Sequence, residues 1–183
     1  MTATVPVSSI ICMIITGMIA FAIPIVLFIY LVTKKKAKAV PFFIGCAVML
    51  LFALVLESAV HGIVLGSPAG AKIRGNTWLY ALYGGLMAGL FEETGRYVAF
   101  ETVLRKYLGN DSNALMYGAG HGGFEAAALV GMSMVSNIIM SVMINLGQLD
   151  ALTGELSGEA LAQVEAAVDT LVTTKPVMFL AGV

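Results

Sequence analysis

Phe91-Glu92-Glu93-Thr94-Gly95-Arg96 puts three charges inside a run that is otherwise apolar, from Trp78 to Leu90 before it and from Tyr97 to Phe100 after it. The whole chain is 59% hydrophobic and only 11% charged, with a mean hydropathy of +0.93. Soluble domains carry about 25% charged residues, so the stretch belongs to an integral membrane protein built of helices. A charge near the centre of a bilayer costs about 2.5–3.5 kcal/mol on insertion scales. Arg96 follows Glu92 by four residues, which predicts an ion pair on one helical face. Glu93 points about 100° away and is left without that partner. Carboxylates retained at such a cost serve chemistry or transport.

Working outward, the stretch sits in the third of four apolar segments, at about 7–32, 40–65, 77–104 and 114–146. Each is long enough to cross about 30 Å of hydrocarbon. Pro24 marks a kink in the first and Pro41 the first turn of the second. Residues 148–175 are polar and acidic, with Leu152, Leu156, Leu161, Val164, Val168 and Leu171 at helical spacing. They read either as an outer amphipathic helix lying on the headgroups or as a solvated connection with one apolar face. Residues 176–183 read as the start of a further span, so the chain is expected to be a fragment, the alternative being a tail that packs as a stub. The expected fold is therefore all-α: one polytopic membrane helix bundle over 1–183, with four full spans and the beginning of a fifth.

Lys34, Lys35, Lys36, Lys38, Arg105 and Lys106 fall in the loops after the first and third spans. The opposite side has Lys72, Arg74 and Lys175. Basic residues favour the cytoplasm, so the N-terminus is expected outside a multi-pass protein of the cell membrane. A net charge of -1 gives no sign of nucleic-acid binding. Cys12 and Cys46 lie in apolar runs, where a thiol packs as a small hydrophobe.

The fourth span carries a second polar group, Gly118-Ala119-Gly120-His121-Gly122-Gly123-Phe124-Glu125. His121 and Glu125 share a face, so Glu125 is placed to orient the ring. At about 1.5 Å per residue, Glu92 and Glu93 lie roughly 18–20 Å above Arg105, and His121 and Glu125 roughly 14–20 Å above Ser112. Consecutive helices with a short connection are antiparallel neighbours. Glu92, Glu93, His121 and Glu125 are thus expected in one cavity. Glu57 and His61 repeat the i,i+4 pattern nearer the outer surface, as supporting or snorkelling residues. Gly85 and Gly89 suggest a small-residue face for helix contact.

Glu92-Glu93-Thr94-Gly95-Arg96, followed one helix later by Gly120-His121-Gly122-Gly123-Phe124-Glu125, resembles the YhfC-type membrane proteins. These are similar to the wider group of glutamic intramembrane proteases that includes CAAX prenyl endopeptidases. The resemblance implies an intramembrane endopeptidase acting on a peptide or membrane-protein substrate within the lipid bilayer. It implies Glu92 and Glu93 as the carboxylate pair and His121 as the first motif histidine. Arg96 stands one residue earlier than in the wider group's Glu-Glu-x-x-x-Arg, and the last motif falls beyond Val183. In a dry cavity a glutamate can take a proton from water near neutral pH. Glu93 is the choice for that base, alone or sharing a proton with Glu92. His121 positions the water or steadies the oxyanion, and Arg96 supports the carboxylates.

No cofactor is expected. Zinc is the minority alternative, since zinc proteases use two His and one Glu and only one His lies at this depth. A proton-coupled transporter using the same Glu and His residues as a relay is the alternative of a different class.

Overall fold

The computed structural model describes residues 4–154 and 156–182. Val183, counted in the expected fifth span, and the side chain of Leu152, counted in the outer apolar face, lie outside the described residues. Among the described residues every regular element is helical, as the composition requires. Seven α-helices follow one another: α1 Val7–Thr33, α2 Val40–Leu65, α3 Pro68–Arg74, α4 Thr77–Glu101, α5 Asp111–Asn145, α6 Leu149–Thr153 and α7 Gly158–Thr173. Of these, α1, α2 and α5 are long and apolar enough to cross a membrane. Helix α4 has 25 residues but carries Glu92, Glu93, Arg96 and Glu101, and it does not meet that measure.

Local chemistry explains the helix ends. Ser67 caps α3 by accepting from the Gly70 N–H, and Asn76 caps α4 by accepting from the N–H groups of Trp78 and Leu79. Gly147, at φ 69°, lies just past α5, in the left-handed conformation that closes a helix. Pro24 sits inside α1 without ending it.

Two spans are not α-helical throughout. Helix α2 becomes a π-helix over the nine residues Met49–Glu57, and α5 does so over Ala126–Gly131. Such stretches cluster at functional sites. Here one ends on Glu57 and the other begins just after Glu125.

The chain divides into two compact units, one formed by residues up to Ala22 and from Ala126 onward, the other by Ile23–Glu125. In the first unit, Met13, Met134, Ile144, Leu171 and Phe179 form a buried core. Asn145 holds the backbone of Val5 at both ends, accepting from its N–H at 2.7 Å and donating to its carbonyl at 3.0 Å. The outer segment forms α6 and α7. The apolar face of α7 is not left to headgroups or solvent: Leu171 is buried, and Val168 and Val172 pack against the same core. Pro176–Ala181 forms a short 3₁₀ helix in place of the opening α-turns of a span. Its Phe179 is buried, with its carbonyl accepting the Thr16 hydroxyl at 2.8 Å.

The second unit is built on close approach of α2 and α5 through glycine. A methyl group on Gly45 would strike the Tyr117 carbonyl, and one on Gly120 the Phe42 carbonyl. Asn113, buried at the foot of α5, accepts from the Lys38 N–H and donates to the Tyr107 carbonyl, each at 2.8 Å. It thereby joins the two basic loops. The contact face expected from Gly85 and Gly89 is not used, because both look onto open space. Gly95 does that work on α4, where a methyl would lie 2.7 Å from Phe52 Cγ.

Candidate active site

All the groups that meet at the site lie in the second unit. His121 is carried on α5 and is 5% exposed. Its Nε2 lies 3.3 Å from Glu92 Oε2 on α4, and its Nδ1 lies 3.4 Å from the hydroxyl of Tyr117. An ionised carboxylate only accepts, so Nε2 carries the hydrogen and Nδ1 is the acceptor for the Tyr117 O–H; this tautomer is assigned from the network. Tyr117 is itself fixed, stacked edge-on against Phe100 with ring centres 5.0 Å apart.

Glu92, Arg96, Phe100, Tyr117, His121 and Glu125 line one cavity of about 460 Å³, together with Ala114, Gly118 and Gly122. The glycines of α5 divide by role. Gly120 and Gly123 seat the helix against Phe42 and Pro24, whereas nothing lies within 4 Å of a methyl on Gly118 or Gly122. The open pair gives the cavity a wall without side chains, where an extended backbone can come close.

Three of the four residues expected to act together, Glu92, His121 and Glu125, are brought to this cavity. Glu93 is not among its lining residues. The ion pair is also different from the one the spacing suggested: Arg96 Nη1 bonds Glu93 Oε1 at 2.9 Å, not Glu92. On a helix i,i+3 and i,i+4 partners are both within reach. Glu92 turns instead to the imidazole across the cavity, which leaves the guanidinium to the more exposed neighbour. Orientation of His121, expected from Glu125, comes from Tyr117. That role was hidden in the sequence because a tyrosine on an apolar helix reads as core; its i,i+4 spacing to His121 was the available signal.

Glu57 and His61 form a separate cluster. His61 Nε2 lies 3.1 Å from Glu57 Oε1, and its Nδ1 lies 2.9 Å from the hydroxyl of Tyr83 on α4. Glu57 is buried, so it does not snorkel.

A catalytic zinc takes three protein ligands, and among the described residues no three His, Cys, Asp or Glu side chains lie close enough together to hold a metal. The cavity offers one imidazole, whose Nε2 is already engaged by Glu92.

Residues 19–182 match the profile of a family described as YhfC intramembrane metalloprotease. Over 139 residues the chain is 38% identical to the uncharacterized membrane protein YhfC of Bacillus subtilis (strain 168). That match covers 75% of this chain and 53% of the relative, so the chain spans about half the length of the curated relative it matches. No solved structure matches. With nearly its whole length inside the profile, this chain belongs to the YhfC intramembrane metalloprotease family.

Proposed function

We propose that this chain carries the catalytic helices of an intramembrane endopeptidase in which Glu92 is the general base and His121 its partner. The observation that supports this reading is the Glu92–His121 contact, made across two helices at a cavity that both residues line. Glu92 takes a proton from a water molecule as the water oxygen attacks the peptide carbonyl carbon. The tetrahedral intermediate then breaks at the C–N bond, and the proton held by Glu92 passes to the leaving amine. Water is thus added across the bond, with no other reactant consumed. The neutral His121 ring, its Nδ1 held by Tyr117, keeps its Nε2–H aimed into the cavity, first on Glu92 and then on the developing oxyanion. Arg96 stands at the cavity wall with its charge steadied by Glu93. It suits the same oxyanion, in place of the structural role expected for it beside Glu92. Glu125 lines the same cavity, where it can hold substrate amide groups. The substrate is a peptide or a membrane-protein segment in extended form, admitted past Gly118 and Gly122.

The family's description names a metal. Among the described residues no three-ligand site is assembled, so no step is routed through one. The orientation remains that of the lysine count, with the N-terminus outside. A reporter fused after Lys38 is expected in the cytoplasm.

The test is proteolysis by the full-length protein in lipid, with Glu92→Gln and Glu93→Gln side by side. Glu92→Gln is expected to lower cleavage by about 100-fold or more, the scale of general-base catalysis, while Glu93→Gln keeps most of it. The reverse ranking would move the base to Glu93. Loss of cleavage on chelation, restored by zinc, would overturn the metal-free scheme. A flux driven by a pH gradient, with no cleavage, would replace proteolysis by transport.

A further inference from the structure

The chain has two histidines, and each of them ties α4 to a different helix. His121 of α5 holds Glu92, and His61 of α2 holds Tyr83. These are the two histidine hydrogen bonds that join α4 to other helices. Tyr83 and Glu92 are nine residues apart, which puts them about 180° apart around the helix. Helix α4 is therefore strung between two imidazoles that pull on opposite faces.

Its apolar anchoring is uneven. Gly95 and Ala99, packed with Val48 and Phe52, fix the C-terminal end. From Thr77 to Thr94 no residue is buried, and Gly84, Gly85 and Gly89 face open space. Packing among the described residues leaves this stretch of the helix weakly located, and Glu92 sits near its end.

The tie at Tyr83 is well made. The Glu57 carboxylate takes the Nε2–H of His61, which leaves Nδ1 as the acceptor of the Tyr83 O–H. At 2.9 and 3.1 Å both bonds are of ordinary length, and the two rings lie 5.2 Å apart. Glu57 reaches this position at the end of the π-helical stretch Met49–Glu57. A stretch of unfavourable helix geometry is thus spent where it delivers a carboxylate to a histidine.

We propose that Glu57, His61 and Tyr83 form a positioning site for Glu92. They hold the N-terminal half of α4 against α2, and this sets the spacing at which Glu92 meets His121 across the cavity. His61 and Tyr83 act through the helix and do not touch substrate. The catalytic consequence rests on the proteolytic reading above; the geometric one does not.

The test uses the full-length protein in lipid nanodiscs, with Cys12→Ala and Cys46→Ser as background and spin labels on Leu86→Cys of α4 and Leu115→Cys of α5, both exposed sites. Tyr83→Phe removes only the hydroxyl. It is expected to shift or broaden the label distance by about 1–2 Å, the size of a helix shift. Misplacing a reacting group by about 1 Å costs on the order of 100-fold, so kcat should fall about 10- to 100-fold with KM little changed. Glu57→Gln, made by itself, keeps an acceptor for the Nε2–H and should hold the label distance at the parent value; a shift as large as that of Tyr83→Phe would overturn the assigned bond. His61→Asn repeats the test should Tyr83→Phe fail to fold. A lower melting temperature with an unchanged label distance marks a merely structural tie and overturns the proposal. A shifted distance in a protein that cleaves no peptide, parent included, sinks the proteolytic reading and leaves the positioning site standing.

Discussion

Two clusters in the second unit are made of the same three residue types joined in the same order: a phenol on Nδ1 of a histidine and a carboxylate on its Nε2. In Tyr117–His121–Glu92 the phenol and imidazole share one helix and the carboxylate crosses over. In Glu57–His61–Tyr83 the carboxylate and imidazole share one helix and the phenol crosses over. The bonds are 3.4 and 3.3 Å in the first cluster, and 2.9 and 3.1 Å in the second. Bonds at the long end of the range leave room for a third party to enter, as resting catalytic contacts commonly do. Shorter ones suit a tie that is meant to stay made. The comparison teaches that residue type alone does not distinguish a working group from a fastening. The difference lies in which group crosses the gap and what space surrounds it.

The largest expected effect contrasts the two carboxylates. Glu92→Gln should reduce peptide cleavage by about 100- to 10,000-fold, while Glu57→Gln stays within a fewfold of the parent; equal losses would erase the distinction. Next comes the phenol of the looser cluster. Tyr117→Phe frees Nδ1 and lets the ring choose either tautomer, so activity should drop by about 10- to 100-fold, as when the orienting partner of an active histidine is removed. An unchanged rate with a normal melting curve would make Tyr117 plain packing. The smallest effect concerns the glycines that flank His121. Gly120→Ala pushes a methyl into the Phe42 carbonyl, a backbone atom that no rotamer can move aside. It should cost about 1–3 kcal/mol in unfolding measurements. Gly118→Ala meets open space and should gain up to about 1 kcal/mol from helix propensity. If the two variants proved alike, the assignment of Gly118 to the cavity wall would be mistaken.

Much of the architecture could be read from the chain because the bilayer leaves few choices. Long apolar runs must be helices, and equal depth brought Glu92 and His121 to one cavity, although α4 and α5 each pack on α2 rather than on one another. The failures were those of rotation about a helix axis. Arg96 has Glu92 and Glu93 both within reach, and the choice depends on what lies across the gap. Gly85 and Gly120 look the same as letters; only the position of α2 shows which one is packed. Tyr83 has no partner nearby in sequence, and Tyr117, although four residues before His121, reads as one more aromatic on an apolar helix. The π-helical stretches have no signature in hydropathy at all. For α7 the spacing was right, but its apolar face found protein, where headgroups or solvent had been offered.

Those π-helical turns make α2 sensitive to length in a way that its apolar composition conceals. The stretch Met49–Glu57 holds its shape only while the residue count between two fixed points, Gly45 against α5 and His61 against Tyr83, stays the same. Deleting a single leucine there would keep the span apolar and still long enough to cross the membrane. It would nevertheless turn everything downstream by about 100°, carrying Glu57 and His61 away from Tyr83. An insertion would do the same in the other sense. In related sequences, then, gaps between these two points should be rarer than substitutions, even where almost any apolar residue is tolerated.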